Sequence, residues 1–452
     1  MSPHAPHDIG TGRQLFVDDY WVASITGAER KLHSPVRREI AMAADNPWEE
    51  GGVSYLVTFP DGEGYRGWYR CDTAVGLSDH ASIAAHVVSK DGIHWDKPEV
   101  GANDFRGSTK NNLVWTGPGI NLAPFLDANP SASEAEKYKA IIREGKVLIA
   151  LASPDGLHWN KIREEPVLTD GPFDTLNLPF WDTWREEYVI YTRGVAGSGN
   201  FFGGVRWIRR ATSKDFLNWS ALEDIDPGEA PYEELYTNSC VQYERAPGTY
   251  LMFPSRFVIE RIPDPDWAFG SGVNDIAFMS SRDGLNFDRS FMGAFLRPGL
   301  DQENWHERGI YMETGILQTS PEEMSLFVSE HLRYPSARIN RYTLRTDGFV
   351  SVNARYGGGE FTTRPFVFCG SELKLNYSTS AVGSVQVEIQ DDAGHPMPGL
   401  SLADAPEKFG DEIDGVYNWN NNESPGKLAG TTVRLRFVLK DADLYAFRFR
   451  DV

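Results

Sequence analysis

The chain has 452 residues, 41% hydrophobic and 12% aromatic, with 64 Asp and Glu against 44 Lys and Arg and a formal net charge of −20. That much apolar and aromatic matter excludes a disordered chain and is ample for a large β core, with two domains as the length expectation. The acidic balance argues against nucleic acid and anionic membrane as partners, because polyphosphate backbones and anionic headgroups are held by an excess of Lys and Arg.

The N-terminal MSPHAPHDIGTGRQLF has no apolar h-region, and no run of about 18 apolar residues occurs later, so the protein is expected to be cytoplasmic, or secreted if a leader has been removed. The run LFVDDYWV (15–22) reads as a strand that adds to the first or last blade of a ring and removes an exposed edge. From residue 53 a four-run grammar begins: VSYLVTF (53–59), YRGWYR (65–70), SIAAHVVSKDG and HWDKPEV, each rich in β-branched or aromatic residues and separated by Gly/Asp turns. The same meander returns with NLAPFLD, KYKAIIR, VLIALASPDG and HWNKI, then with LNLPFWD (176–182), EYVIYTR (187–193), VRWIRRATSKD (205–215) and NWSALED (218–224). A fourth copy runs YTNSCVQYE, TYLMFPSR, VNDIAFMSSRDG and NFDRSF, and a fifth runs YMETGIL, MSLFVSEHLR, INRYTLRTDG and FVSVNA.

The phrase Ser-x-Asp-Gly marks the third run of each copy, at Asp91, Asp155, Asp215 (with Phe216 in place of Gly), Asp283 and, degraded, Asp347, at intervals of 64, 60, 68 and 64 residues. Self-similarity at that period with four strands per unit predicts a five-bladed β-propeller over residues 1–360. The stretch GGGE (357–360) reads as a linker. Residues 361–452 carry the strand runs ELKLNYST, SVQVEIQD, TVRLRFVLK and LYAFRFRD without the repeat phrase, which predicts a second all-β module, a two-sheet sandwich. Cys71, Cys240 and Cys369 have no metal-ligand spacing and read as buried thiols; no metal or cofactor is expected.

In a propeller the start of each inner strand and the end of the second strand meet on one face. Those places hold Glu49 with Arg70, Asn121 with Arg143, Asp174 with Arg193, Glu234 with Arg256, and Glu313 with Arg333, at separations of 21, 22, 19, 22 and 20 residues. Four carboxylates and five guanidinium groups are thereby expected around one mouth of the channel, a concave polar site of the kind that supports catalysis. A repeated Arg also serves as an architectural clamp, so any single Arg reads as structural first, while the carboxylates taken together read as functional. Two carboxylates suffice to cleave a glycosidic bond, one as proton donor and one as base or nucleophile, about 5–5.5 Å apart for retention or about 6.5–9.5 Å for inversion. The donor should be the member least tied to Arg, a choice the sequence leaves open.

Five four-stranded blades with acids on the inner strands and a C-terminal sandwich resemble the furanosidase-type glycoside hydrolases of families 32, 43, 62 and 68 and the mannoside phosphorylases of family 130. QLFVDDYWV (14–22), DNPWEE (45–50), GPFDTLNLPFWD (171–182) and the closing VRLRFVLKDADLYAFRFRD are similar to bacterial propeller proteins of the family 32 type, over nearly the whole chain. Carried over by position, the resemblance implies Glu49, or else Asp18 or Asp19, as nucleophile or base, and Asp174, with Asp182 as rival, as the stabilising acid. It implies Glu234 as proton donor, with Glu233 beside it and Glu313 as runner-up. The chain lacks the Asn-Asp-Pro-Asn-Gly run and the Glu-Cys pair of family 32, which argues against fructan and sucrose chemistry. Trp48, Trp181, Tyr236 and Tyr311 are candidate stacking platforms for sugar faces, with Asn177 and Asn238 as further substrate contacts.

The reading is a glycosidase that releases a terminal, furanoside-type sugar from an oligo- or polysaccharide, its partner being that glycan. The alternatives are a glycoside phosphorylase whose rim arginines bind phosphate bidentately, and a non-catalytic glycan-binding propeller. His94 and His158 recur with the repeat and read as turn caps; Gly357, Gly358 and Gly359 lie outside any strand-to-helix context and form no phosphate loop.

Overall fold

A computed structural model describes residues 6–73, 82–197, 204–266 and 270–451. Among the described residues secondary structure is almost entirely β, and no helix is long and apolar enough to cross a membrane. Five antiparallel sheets follow one another, each with four strands in order and the fifth with an additional short strand, Leu317–Gln318, against its second. Blade 1 is Gly52–Asp61, Gly64–Asp72, Ser82–Ser89 and Leu113–Trp115; blade 2 is Ile120–Leu126, Tyr138–Glu144, Val147–Ser153 and Asn160–Lys161. Blade 3 is Leu178–Asp182, Glu187–Gly197, Gly204–Ser213 and Glu223–Asp224; blade 4 is Val241–Gln242, Tyr250–Met252, Met279–Ser281 and Phe287–Asp288. In blade 4 the middle pair continues as a hairpin, Ser255–Val258 against Val273–Ile276. Blade 5 is Ile310–Met312, Glu323–Glu330, Arg338–Arg345 and, from the other end of the sequence, Val36–Ala43. The protein is a five-bladed β-propeller.

Period-two alternation explains why the middle strands are apolar throughout. Ala140 and Ile142 face the core shared with blade 1, among Trp68, Val114 and Leu122, while Ile141 between them faces the core shared with blade 3, among Phe173, Tyr188 and Ile190. Blades 3 and 4 share Trp207, Ile208, Tyr250 and Met279. Blades 5 and 1 share Met42, Leu56, Leu317, Phe327 and Ile339, with Val57 bridged to Thr314. Each large side chain fully buried in these faces contributes roughly 1.5–3 kcal/mol.

The repeat phrase is the turn between the third and fourth strands. Asp155 Oδ1 accepts from the Ser153 hydroxyl (3.0 Å) and from the amides of Leu157 (2.8 Å) and His158 (2.9 Å), while Oδ2 meets His158 Nδ1 at 2.8 Å. Asp91, Asp215 and Asp283 repeat the arrangement. Burial alone would raise these carboxyls, and the converging donors outweigh it, holding Asp91, Asp155, Asp215 and Asp283 below the usual carboxylate range. The turns also tie neighbouring blades: Trp68 Nε1 donates to Gly156 O (2.8 Å), and the Tyr191 hydroxyl to Gly284 O (2.6 Å).

The ring closes differently from the sequence expectation. Residues 15–22 are not a continuous strand and join no blade: Gln14–Leu15 pairs with Phe447 and Ala446, and Phe16 and Trp21 are sealed among Phe361, Phe366 and Phe447. Val36–Ala43 supplies the outer strand of blade 5, where Arg37 donates to both oxygens of Glu330 (2.9 and 2.8 Å). The run FVSVNA, expected as that outer strand, instead places Val350–Ala354 against Ala28–Leu32 and Arg434–Arg450.

The chain divides into two compact units, residues 35–243 with 247–343, and residues to 34 with 244–246 and 344–452. The division falls short of the expected boundary at 360 because the fifth repeat turn has left the propeller: Asp347 is buried between Arg13 (3.1 Å) and Arg245 (2.8 Å). In this second unit Gln14–Leu15, Val22–Thr26, Ala28–Leu32, Val350–Ala354, Gly359–Thr363, Glu372–Gln390, Asp411–Tyr417 and Arg434–Arg450 hydrogen-bond as one sheet. Irregularities at Asn376/Tyr377 and Thr379/Ser384 let both halves of Glu372–Gln390 face a single core that includes Tyr377, Ile389, Trp419, Phe437 and Phe449. Cys71 and Cys240 are buried; Cys369, expected buried, is exposed.

Candidate active site

The centre of the propeller is floored by tyrosines. Tyr55 on the inner strand of blade 1 stacks on Tyr311 of blade 5 (ring centroids 6.1 Å apart, 10° between planes), and Tyr311 stacks on Tyr236 at the entry to blade 4 (5.7 Å, 22°). Guanidinium carbons lie over these rings: Arg193 at 4.2 Å, Arg308 at 5.4 Å and Arg206 at 5.5 Å from the Tyr236 centroid, and Arg70 at 5.9 Å from that of Tyr55. Burial outweighs the attraction of these cations, so the Tyr55 hydroxyl is pushed up to about 12 and that of Tyr311 well above its ordinary value. Both phenols are therefore neutral at physiological pH.

Each of these arginines holds a carboxylate. Arg193 Nη1 donates to Asp174 (2.6 Å) and its Nη2 to Tyr236 O (2.7 Å). Glu234 Oε2 accepts from the Arg206 amide (2.9 Å) and Nη1 (3.1 Å), and among the described residues no hydrogen bond or ion pair engages Oε1. Glu307 lies between Arg308 Nε (2.6 Å) and Arg333 Nε (3.2 Å), and Arg308 Nη2 donates to the Tyr236 hydroxyl (2.8 Å). Arg70 bonds Asp72 (2.9 Å) and Asn121 Oδ1 (3.0 Å), whose amide nitrogen reaches Thr175 O (3.1 Å). Asp72, Asp174, Glu234 and Glu307 are all partly exposed.

Backbone strain concentrates here. Tyr55 (φ 54°), Asn121 (φ 60°), Arg308 (φ 62°) and Arg333 (φ 72°) all occupy the left-handed region that L side chains disfavour. The first two sit within register shifts of their inner strands, between Ser54 and Val57 and between Ile120 and Ala123. Such positions cost roughly 1–3 kcal/mol each and cluster at functional sites.

Of the five pairs expected by spacing, Asp174 and Arg193 are joined, and the other four are partnered differently. Glu49 is fully buried outside the tyrosine cluster, bonded to the Tyr69 hydroxyl (2.5 Å), Lys97 (2.8 Å) and the amides of Asp45 and Asn46. Glu313 is sealed between blades 5 and 1, accepting from the Leu56 amide (2.6 Å) and the Ser329 hydroxyl. Burial pushes its carboxyl up to about 8, against the pull of those donors. Arg256 clamps Asp275 (2.6 Å) and Glu233 (3.0 Å), not Glu234, and Arg289 holds Glu233 from the other side (3.0 Å). Arg143 donates to Gly145 O in its own hairpin (2.7 Å).

Asp182 caps the far end of its strand, accepting from the Tyr250 hydroxyl, Gln242 (2.7 Å) and the amides of Trp184 and Arg185 (both 2.9 Å). Asp18 and Asp19 lie in the other unit, in a bend after Gln14–Leu15, where Asp18 accepts from the Tyr20 amide. Trp48 packs edge-on against Phe105 and Trp181 against Tyr188, both in inter-blade cores. Asn177 and Asn238 are buried and bond backbone, Asn177 to Phe173 O and Thr175 O, Asn238 to the Cys240 amide.

Tyr55, Asp72, Arg206, Glu307 and Arg308 escaped the sequence reading. Glu307 and Arg308 lie just before Ile310–Met312, outside the run YMETGIL (311–317) with which the fifth copy begins, so a search extended into the loop before that run would have found them; the left-handed turns leave no signal in residue type. Among the described residues the one trio of ligand-type groups within reach of a common cation is Asp301, Glu330 and His331. Arg338 Nη2 takes that space, 3.0, 3.1 and 3.1 Å from them.

No family model matches the chain, and no curated protein matches it. Among solved structures it is similar to an N-acetylgalactosamine deacetylase from F. plautii in complex with blood group B trisaccharide (13% identity, TM-score 0.48, 72% of this chain and 97% of that one). It is also similar to a glycoside hydrolase family 43 arabinoxylan arabinofuranohydrolase from Bacillus subtilis (12%, 0.43, 92% and 99%). The propeller assignment rests on the strand pairing of the chain itself.

Proposed function

We propose that this mouth is the active site of a glycosidase that releases a terminal sugar of furanoside type from an oligo- or polysaccharide. The observation that supports it is the convergence of Asp174, Glu234 and Glu307, carried by three separate arginines, around the single ring of Tyr236. Glycosidic cleavage needs two carboxylates with different roles. Glu234 is assigned the proton donor, since one of its oxygens is uncommitted while the other is anchored by the Arg206 amide and guanidinium. Asp174, fixed by the buried Arg193, is assigned to stabilise positive charge on the sugar ring, and Glu307 serves as nucleophile or base. The Tyr236 ring, expected as a stacking platform, is buried with Tyr311 and Arg193 against it, so it anchors the three arginines and does not itself face the sugar.

A second reading, phosphorolysis, is favoured by the density of guanidinium groups: Arg193, Arg206 and Arg308 lie within 5.5 Å of one ring centroid, and Arg206 and Arg308, partly exposed, are the two open to a phosphate oxyanion in exchange for their carboxylates. Release of aryl alcohol from a panel of aryl furanosides and pyranosides, with and without inorganic phosphate, separates the two. Turnover without phosphate supports hydrolysis, turnover only with it supports phosphorolysis, and none on any glycoside leaves a glycan-binding propeller.

A further inference from the structure

Beside the mouth, the blade 4 hairpin Ser255–Val258/Val273–Ile276 and the loop leading to blade 5 enclose a cleft of about 860 Å³, lined among others by Arg256, Arg261, Ile262, Arg297, Pro298 and Trp305. It adjoins the candidate active site covalently and by hydrogen bonding: Trp305 precedes Glu307 by two residues, and Asn274, on the cleft wall, accepts from the Arg308 amide (2.7 Å). The Trp305 indole is 39% exposed, and its N–H is spent on Gly299 O (2.8 Å), which orients the ring.

The charge balance of the cleft is unlike that of the chain. Arg256 and Asp275 neutralise each other. Arg261 and Arg297 are exposed and engage no carboxylate among the described residues, leaving two guanidinium groups against Glu260 alone in a protein of net charge −20. An apolar wall, an oriented aromatic face and two uncommitted guanidinium forks match a sugar ring bearing an anionic group, because Arg binds carboxylate and sulfate oxygens bidentately while the ring stacks on indole.

We infer that this cleft is a binding site for an acidic sugar residue, carboxylated or sulfated, of the glycan whose end is processed at the mouth. Only the identity of the glycan as the one processed at the mouth rests on the glycosidase reading; binding of an acidic sugar in the cleft stands or falls by itself. The test is calorimetric titration with three probes: an α-1,4-linked galacturonate trimer, the neutral galactose trimer, and the same neutral trimer 6-O-sulfated. Wild-type protein should bind at least one charged trimer ten-fold or more tightly than the neutral one, and which of the two identifies the anion. The double variant Arg261→Gln/Arg297→Gln should erase that preference, and Trp305→Ala should weaken all binding, while aryl glycoside turnover is unchanged in the arginine variant. Equal affinity for all three trimers, or an undiminished preference in the double variant, overturns the inference. The arginine side chains are exposed, so their loss does not endanger folding. Charged-trimer binding in a protein that turns over no glycoside would instead overturn the glycosidase reading alone.

Discussion

Tyr236 carries several of the mouth's assignments at once: its ring receives Arg193, Arg206 and Arg308, its hydroxyl accepts from Arg308, and its carbonyl accepts from Arg193. The carboxylate with a spare oxygen, Glu234, is where the account is most exposed. If it donates the proton, Glu234→Gln should lower kcat about 100-fold or more on poor leaving groups, and much less on a dinitrophenyl glycoside that departs unprotonated. Equal losses on both would move the donor role to Glu307. Glu313 gives a separate residue-scale prediction. Burial pushes its carboxyl up to about 8 in the folded protein, against about 4.3 when unfolded. Between those values folding retains a proton that the unfolded chain releases, so its contribution is fully present below about 4.3 and is lost as pH rises through about 8. In unfolding titrations the stability of wild type relative to Glu313→Gln should therefore fall from pH 5 to pH 8 and level off above it. A difference independent of pH would contradict the buried, protonated state.

At the scale of elements, the repeat turn does two jobs, and the second was illegible. Its recurrence and its Asx-type capping follow from Ser, Asp and Gly at fixed offsets. That Gly156 also receives the Trp68 indole of the preceding blade does not, since inter-blade contact has no sequence period. A Cβ on Gly156 (φ 74°) would stand 2.8 Å from Trp68 Cζ2, whereas one on Gly62 (φ 64°) would meet nothing within 4 Å. Gly156→Ala should cost roughly 1–3 kcal/mol beyond the backbone penalty that Gly62→Ala pays alone, read as the difference in denaturant midpoints at unchanged slope. The pairs of acid and arginine show the same limit. Asp174 and Arg193 are recoverable because strand order brings them together, while Glu307 finds Arg333 through left-handed residues at 308 and 333, and Glu234 finds Arg206 because the chain after blade 3 folds back along that blade's third strand, Leu235 donating to Arg206 O (3.0 Å).

For the whole molecule, the count of blades was written in five returning phrases, but the order of closure was not. A strand of mixed charge such as VRREIAMA carries no mark of which edge it will cover, and the aromatic-rich run before it is drawn to the aromatic core of the other unit. Closure by Val36–Ala43 makes an asymmetric prediction within one strand. Met42, buried between blades 5 and 1, should cost about 2–5 kcal/mol on change to Ala, and Ile40, 52% exposed, within about 0.5 kcal/mol. Equal, small effects at both would mean the strand does not close the ring.

The central claim, that this one mouth cleaves glycosidic bonds, is tested most directly by kcat on a responsive aryl glycoside across five amide variants, each with its melting temperature. Asp174→Asn, Glu234→Gln and Glu307→Gln should lose about 100-fold or more of kcat with melting nearly unchanged, whereas Glu49→Gln and Asp182→Asn, whose carboxylates are bonded inside the fold, should lower melting and leave kcat within a few-fold. Wild-type kcat in all three mouth variants, or loss of kcat confined to Glu49→Gln or Asp182→Asn, would contradict it.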